Sequence, residues 1–139
     1  MIPMLFGAER SAPLKALFLG AHCDDIEIGC GGTILRLREW YPNLEMRWMV
    51  FSSTDERRAE TQNAAARFGI DDTEEAVRIE RFRDGYLPYE GAAVKEAMHR
   101  QSRDFAPHVV FTHFREDRHQ DHRVVSDLTW NAFRDHLIF

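Results

Sequence analysis

Two kinds of apolar pattern alternate along this chain. Leu14 to Ala21 is a short apolar run with little alternation, as suits a strand buried on both faces of a parallel sheet. Helical spacing follows from Ile28 through Trp40, with Ile34, Leu35 and Leu37 on the apolar side, and Pro42-Asn43 ends it. Leu44 to Ser52 reads as a second strand. Asp55 is placed to cap a helix from Glu56 to Phe68, closed by Gly69 at the C′ position. Ala76 to Phe82 alternates as a third strand, and Asp84-Gly85 marks a turn. Glu90 to Phe105 is helical up to Pro107, and His108 to Thr112 is a fourth strand. A polar loop, His113 to Asp121, leads into a last helix over about His122 to Asp135. Residues 1–13, with two prolines, read as an irregular lead-in.

The order is β-α-β-α-β-α-β-α, which implies a parallel sheet with helices on both faces. Right-handed crossovers favour a Rossmann-like, doubly wound α/β arrangement with strand order 3-2-1-4. Strands 1 and 4 are then neighbours. The chain reverses its winding between them, and ligands bind outside the carboxyl ends of strands at such a switch point. The loops after strands 1 and 4 are therefore where chemistry is expected.

Composition narrows the picture. With 139 residues and 44% hydrophobic residues the chain suits one globular domain, residues 1–139. Eighteen basic against twenty-three acidic residues give a net charge of −5, with no basic cluster, which argues against nucleic acid as a partner. No apolar run approaches the roughly 20 residues of a membrane span. The apolar start, Met1 to Phe6, is short and is followed by Glu9, Arg10 and Lys15, so no signal peptide is expected. Two cysteines, Cys23 and Cys30, give no disulfide framework and suit a reducing cytoplasm.

The loop after strand 1 is His22-Cys23-Asp24-Asp25-Ile26-Glu27. The loop after strand 4 runs from His113 to His122 and contains His119-Gln120-Asp121-His122. Imidazole with carboxylate is the ligand set of catalytic zinc and related divalent ions. A hydrolytic site of this kind uses three protein ligands, activates a water near neutral pH and polarises a carbonyl, while a spare carboxylate takes the water proton. A plainer reading applies to each segment alone: a histidine at a strand end is commonly a cap or a core residue, and aspartates before a helix are commonly N-terminal caps. Two such segments at the two loops that a switch point brings together are harder to explain in that way.

At these residues the sequence resembles a family. His22-Cys23-Asp24-Asp25, followed by Ile-Glu-Ile-Gly-Cys-Gly-Gly-Thr, is similar to the His-Pro-Asp-Asp motif of the LmbE/PIG-L zinc-dependent N-deacetylases, and His119-Gln120-Asp121-His122 to their His-x-Asp-His motif. Ser52-Ser53 and Arg57-Arg58-Ala59-Glu60 resemble the stretch after strand 2. The resemblance implies that His22, Asp25 and His122 hold Zn2+ or another divalent ion. It implies that Asp24 is the general base, and that His119, oriented by Asp121, stabilises the oxyanion or protonates the leaving amine. The implied reaction removes acetyl from an N-acetylated amino sugar, of the N-acetylglucosamine type, or from a small-molecule conjugate of one.

Two departures accompany the resemblance. Cys23 stands where the family has proline, which fixes φ, so the loop is expected to be less rigid; an extra soft ligand at Cys23 is disfavoured. Family members also continue beyond the length of this chain. His136-Leu137-Ile138-Phe139 reads as the start of a fifth strand, and an uncovered edge at strand 4 would favour a homo-oligomer. The competing expectation is a sugar- or metal-binding module of the same fold with impaired catalysis. A weaker third, a nucleotide-binding half-fold, meets the obstacle that Gly29-Cys30-Gly31-Gly32 lacks the G-x-G-x-x-G spacing.

Other residues divide between roles. The four-residue glycine-rich stretch is expected to let helix and strand approach closely, with Cys30 small and buried. Arg57 and Arg58 are placed either on a solvated helix face or against substrate, with Arg58 taken as the substrate contact. Asp84 is a candidate for a sugar hydroxyl, or only a turn residue. His113 is either a support for the metal ligands or a structural histidine. Trp40, Trp48 and Trp130 are read as core or interface residues, and His99 and His136 as helical residues without a function.

Overall fold

The computed structural model describes residue 11, residues 13–71 and residues 73–139; most of the predicted lead-in lies outside them. The strands are β1 (Leu14–Gly20), β2 (Leu44–Ser52), β3 (Val77–Phe82), β4 (Val109–Phe111) and β5 (Leu137–Ile138), and the helices are α1 (Asp25–Trp40), α2 (Asp55–Arg67), α3 (Gly91–Asp104) and α4 (Gln120–Ala132). A short 3-10 turn, Leu87–Glu90, precedes α3. The strands form one parallel sheet in the order β3-β2-β1-β4-β5. The predicted 3-2-1-4 order is present, and the fifth strand lies beyond β4. The outer edge is thus β5 rather than β4.

Alternation along the central strands sorts the core into two layers. Leu14, Ala16 and Phe18 of β1 pack with Trp48, Val50, Val109 and the buried faces of α1 and α2. Leu17 and Leu19 pack on the other side with Met49, Phe51, Val110 and the faces of α3 and α4. Each large side chain withdrawn from water here stabilises the fold by about 1.5–3 kcal/mol.

Several element ends differ from the sequence reading. α1 begins at Asp25, not Ile28, and its buried stripe is Ile26, Ile34 and Leu37; Ile28 is 79% exposed and Leu35 59%. The apolar identity of Ile28 and Leu35 suggests a face that their angular positions do not share. Thr54, not Asp55, caps α2: its hydroxyl accepts the Arg57 N–H. Gly69 does close that helix, at φ 71°. α4 starts at Gln120 with His119 as its cap and ends at Ala132, so His136 lies outside any helix. In the glycine-rich stretch, a Cβ on Gly31 would stand 3.2 Å from the Phe68 ring, while Gly29 and Gly32 face open space. The close approach is therefore helix to helix and involves one glycine. Trp48 is core, Trp40 half-buried and Trp130 50% exposed.

No described helix is long and apolar enough to cross a membrane.

Candidate metal and catalytic site

Because β1 and β4 pair in parallel, Ala16 with Val109 and Phe18 with Phe111, their carboxyl ends lie side by side. The loop after β1 turns sharply. A Cβ on Gly20 would meet Ile26 Cγ1 at 3.0 Å and the His22 carbonyl at 3.1 Å, so the turn needs the missing side chain. Asp25 Oδ2 then accepts the His22 N–H at 2.6 Å, and α1 starts. On the other side, His113 at the end of β4 accepts the Ala21 N–H on Nε2 at 2.8 Å. Burial drives its pKa down to about 4. His113 is thus a neutral ring, and it stacks on His122 with centroids 3.9 Å apart.

Three donor residues converge between the loops, Asp25 through both its oxygens. His22 Nδ1 lies 3.2 Å from His122 Nε2 and 3.4 Å from Asp25 Oδ2, and His122 Nε2 lies 3.4 Å from Asp25 Oδ1. Bonds of about 2.0–2.1 Å to a tetrahedral ion put its ligand atoms roughly 3.3 Å apart, so this donor set fits a small divalent ion. The far nitrogens of both rings are held by carboxylates. His22 Nε2 lies 3.3 Å from Asp121 Oδ2 and 3.1 Å from Asp84 Oδ1, and His122 Nδ1 lies 3.1 Å from Asp117 Oδ2. A carboxylate behind a ligating histidine fixes its tautomer and aims the lone pair at the metal.

Charge follows the same pattern. Burial would push His22 down, yet Asp25, Asp84 and Asp121 together hold its pKa above the ordinary value. Burial would push Asp25 up, but His22 through side chain and backbone, with His113 and His122, holds it below. Asp117 is held low by the His119 N–H and the His122 ring. Glu27, in the first turn of α1, goes the other way: burial pushes its carboxyl up, and its Oε2 is buried without a hydrogen-bond partner.

The family described as PIG-L, GlcNAc-PI de-N-acetylase, matches residues 17–133. The chain belongs to the PIG-L family. Among solved structures it is similar to the conserved protein TT1542 from Thermus thermophilus (28% identity, TM-score 0.65), covering 91% of this chain and 60% of that one. It also resembles the A40926 pseudoaglycone deacetylase Dbv21 (18% identity, TM-score 0.70, 89% of this chain and 60% of that). A third likeness is to the zinc-inhibited form of the teicoplanin deacetylase Orf2 (15% identity, TM-score 0.67, 87% and 64%). The chain thus spans 60–64% of the length of these structures.

Within this PIG-L fold, His22, Asp25 and His122 come together as the sequence motifs suggest. Asp24 stands at the cap position of α1, but its side chain makes no cap bond; it is half-exposed and lies 3.4 Å from Arg57 Nη2. Its carboxylate is thus left free of the helix. His119 is exposed, with its ring centroid 4.7 Å from those of His22 and His122. Its Nδ1 accepts the Asp121 N–H, which leaves the ring proton on Nε2.

Two assignments change. Asp121 does not present its carboxylate to His119. It is fully buried, reaches His22, and accepts the N–H groups of Gly85 at 2.7 Å and Leu87 at 3.2 Å; the first turn of α4 points it inward. Arg58 donates to the Ile79 carbonyl at 3.1 Å and ties α2 to β3, so of the two it is Arg57 that lines the crevice beside Asp84. Cys23 turns its thiol to the Ser52 carbonyl and the Ser53 hydroxyl, away from the donor set.

Asp117, Gln120 and Gly20 are not singled out by the sequence. Gln120 donates to the Gly85 carbonyl and, with Asp121, clamps the turn that carries Asp84. Asp117 has one local signal: a carboxylate two residues before His119 can accept its N–H, here at 2.7 Å.

Proposed function

We propose that this protein is a divalent-metal-dependent N-deacetylase acting on an amino-sugar conjugate, with His22, Asp25 and His122 as metal ligands. The observation that carries this reading is the convergence of these three donors, each imidazole backed by a carboxylate. When bound, the ion supplies Lewis acidity toward the amide carbonyl and lowers the pKa of water. Asp24 accepts the proton of the attacking water; its carboxylate faces solvent and is spent on no cap. His119 directs its Nε2–H toward the oxygen on which charge develops, because its Nδ1 is committed to the backbone. Asp121 and Asp117 hold the two ligand rings in place. Zinc is the expected ion from the donor set, and the likeness to a zinc-inhibited form of Orf2 makes a comparison of metals part of the test.

The decisive measurement is acetate release from a panel of N-acetylglucosamine conjugates by protein loaded with zinc, cobalt or manganese. Metal-dependent release is expected, and a loaded protein that releases none refutes the reading. The second reading, a sugar- or metal-binding module without turnover, draws on the 60–64% span of the relatives. It predicts ligand binding with no acetate.

A further inference from the structure

We infer that His113 is a positioning residue for the proposed metal centre: its ring locks the motif loop after β1 to the end of β4 and holds the plane of His122, so that the three donor residues meet. This rests on the metal-binding part of the reading above and not on acetate release. β1 and β4 are paired as far as Phe18 with Phe111. Beyond that pair the two strand ends are joined by a side chain, the Ala21 N–H donating to His113 Nε2 at 2.8 Å. Ala21 is fully buried, and its carbonyl accepts the Ser52 N–H of β2 at 2.8 Å. Both its backbone groups are thus committed, and the imidazole sets the spacing between the residue before His22 and the segment that leads to His122. Without the ring, the amide would be a buried donor with no partner, a state that folded chains almost never keep.

The same ring lies flat on His122, with centroids 3.9 Å apart and planes 11° from parallel. Asp117 Oδ2 holds His122 at Nδ1, 3.1 Å away. One hydrogen bond at one atom leaves an imidazole free to swing about that bond, and a parallel ring against its face removes the swing. Together the two constraints direct His122 Nε2 to within 3.2 Å of His22 Nδ1 and 3.4 Å of Asp25 Oδ1. By spacing alone, Asp25, His113 and His122 could form a triad of their own. The Nε2 lone pair of His113 is spent on the Ala21 N–H, however, and its 3.4 Å approach to Asp25 Oδ2 is a packing contact between two acceptors. His113 therefore acts through its neighbours and not as a ligand.

Three variants of the full chain separate the two contacts. His113→Phe keeps a flat ring and loses the acceptor, His113→Gln keeps an acceptor near the Nε2 position and loses the ring, and His113→Ala loses both. Competitive chelation should show the zinc affinity of His113→Ala lowered by about 10–100-fold, the range for groups that stand behind metal ligands, with smaller losses in the other two. In cobalt-saturated protein the visible absorption bands, which report ligand geometry, should move in His113→Ala and His113→Gln and stay in place in His113→Phe. Zinc affinity and cobalt bands that are unchanged in His113→Ala overturn the inference, whatever happens to its melting temperature. Where His113→Ala does not fold, the same two readouts on the Phe and Gln variants decide, and no change in either variant overturns it. A chain that binds zinc, weakens with His113→Ala and releases no acetate refutes the deacetylase reading and upholds this one. A chain that takes up no zinc at all overturns both.

Discussion

The two motif loops solve the same problem in opposite ways. In the loop after β1, the two outer members of the motif, His22 and Asp25, are drawn together, and the inner Asp24 is left half-exposed. In the loop after β4, the inner Asp121 is fully buried and the leading His119 is left exposed, while His122 is drawn in. Each loop thus contributes fixed groups to a shared frame and one exposed group, which the proposed reading uses as a base, Asp24, and a proton donor, His119. The difference lies in what fixes the frame. The first loop depends on a backbone turn that needs Gly20, and the second supplies carboxylates to both, Asp117 behind the ring of His122 and Asp121 behind that of His22.

Substitutions can break this division of labour. The largest effect should come from His22→Ala or His122→Ala. Metal content after dialysis should fall from one ion per chain to near zero, a loss beyond the roughly 10–100-fold in affinity that a supporting carboxylate provides. Asp24→Asn should keep its metal and lose about 10²–10⁴-fold in kcat; an unchanged kcat would remove Asp24 from the mechanism. His119→Ala should also keep its metal and lose about 10²–10³-fold. Asp121→Asn and Asp117→Ala should act through the frame. A metal-affinity loss of about 10–100-fold by competitive chelation is expected, with kcat at saturating metal reduced far less than in Asp24→Asn. If Asp121→Asn lowers kcat and spares metal affinity, the carboxylate serves His119 after all.

The smallest effect is a pH dependence. A proton on His22 competes with the metal, and because its pKa is raised, competition begins at a higher pH than for an ordinary imidazole. Metal affinity should therefore rise with pH through that raised value, and Asp121→Asn should move the midpoint down. In the metal-free protein the sign for stability is reversed. The raised His22 pKa contributes stability that is complete below about pH 6.5, the unfolded value, and is lost as the pH rises through the folded value. Thermal denaturation of the metal-free chain across that window would show it.

The strand order is legible because short apolar runs alternate with helical periods and because crossover handedness leaves few topologies. The meeting of His22, Asp25 and His122 is legible because they lie on the segments that follow two adjacent strands. Asp121 is easily misassigned, since His119 is its neighbour along the chain, whereas the first turn of α4 aims its carboxylate away from that neighbour and toward residue 22. Arg58 and Arg57 look equivalent in sequence because adjacent residues on a helix can share a type but not a direction. Asp117 lies in a loop with no periodicity, where only tertiary placement of His122 reveals its role. In α1, Ile34 and Leu37 are on the buried face as expected, Leu35 is not, and Ile26, ahead of the predicted start, completes it.

The single buried carboxyl of residue 121 reaches an imidazole on one strand end and two amides on the opposite bank. Remodelling that bank therefore re-aims the ring it shares an anchor with. On the proposed reading, specificity and ion retention are mechanically linked in this scaffold, and an engineer who wishes to alter one must re-establish the other.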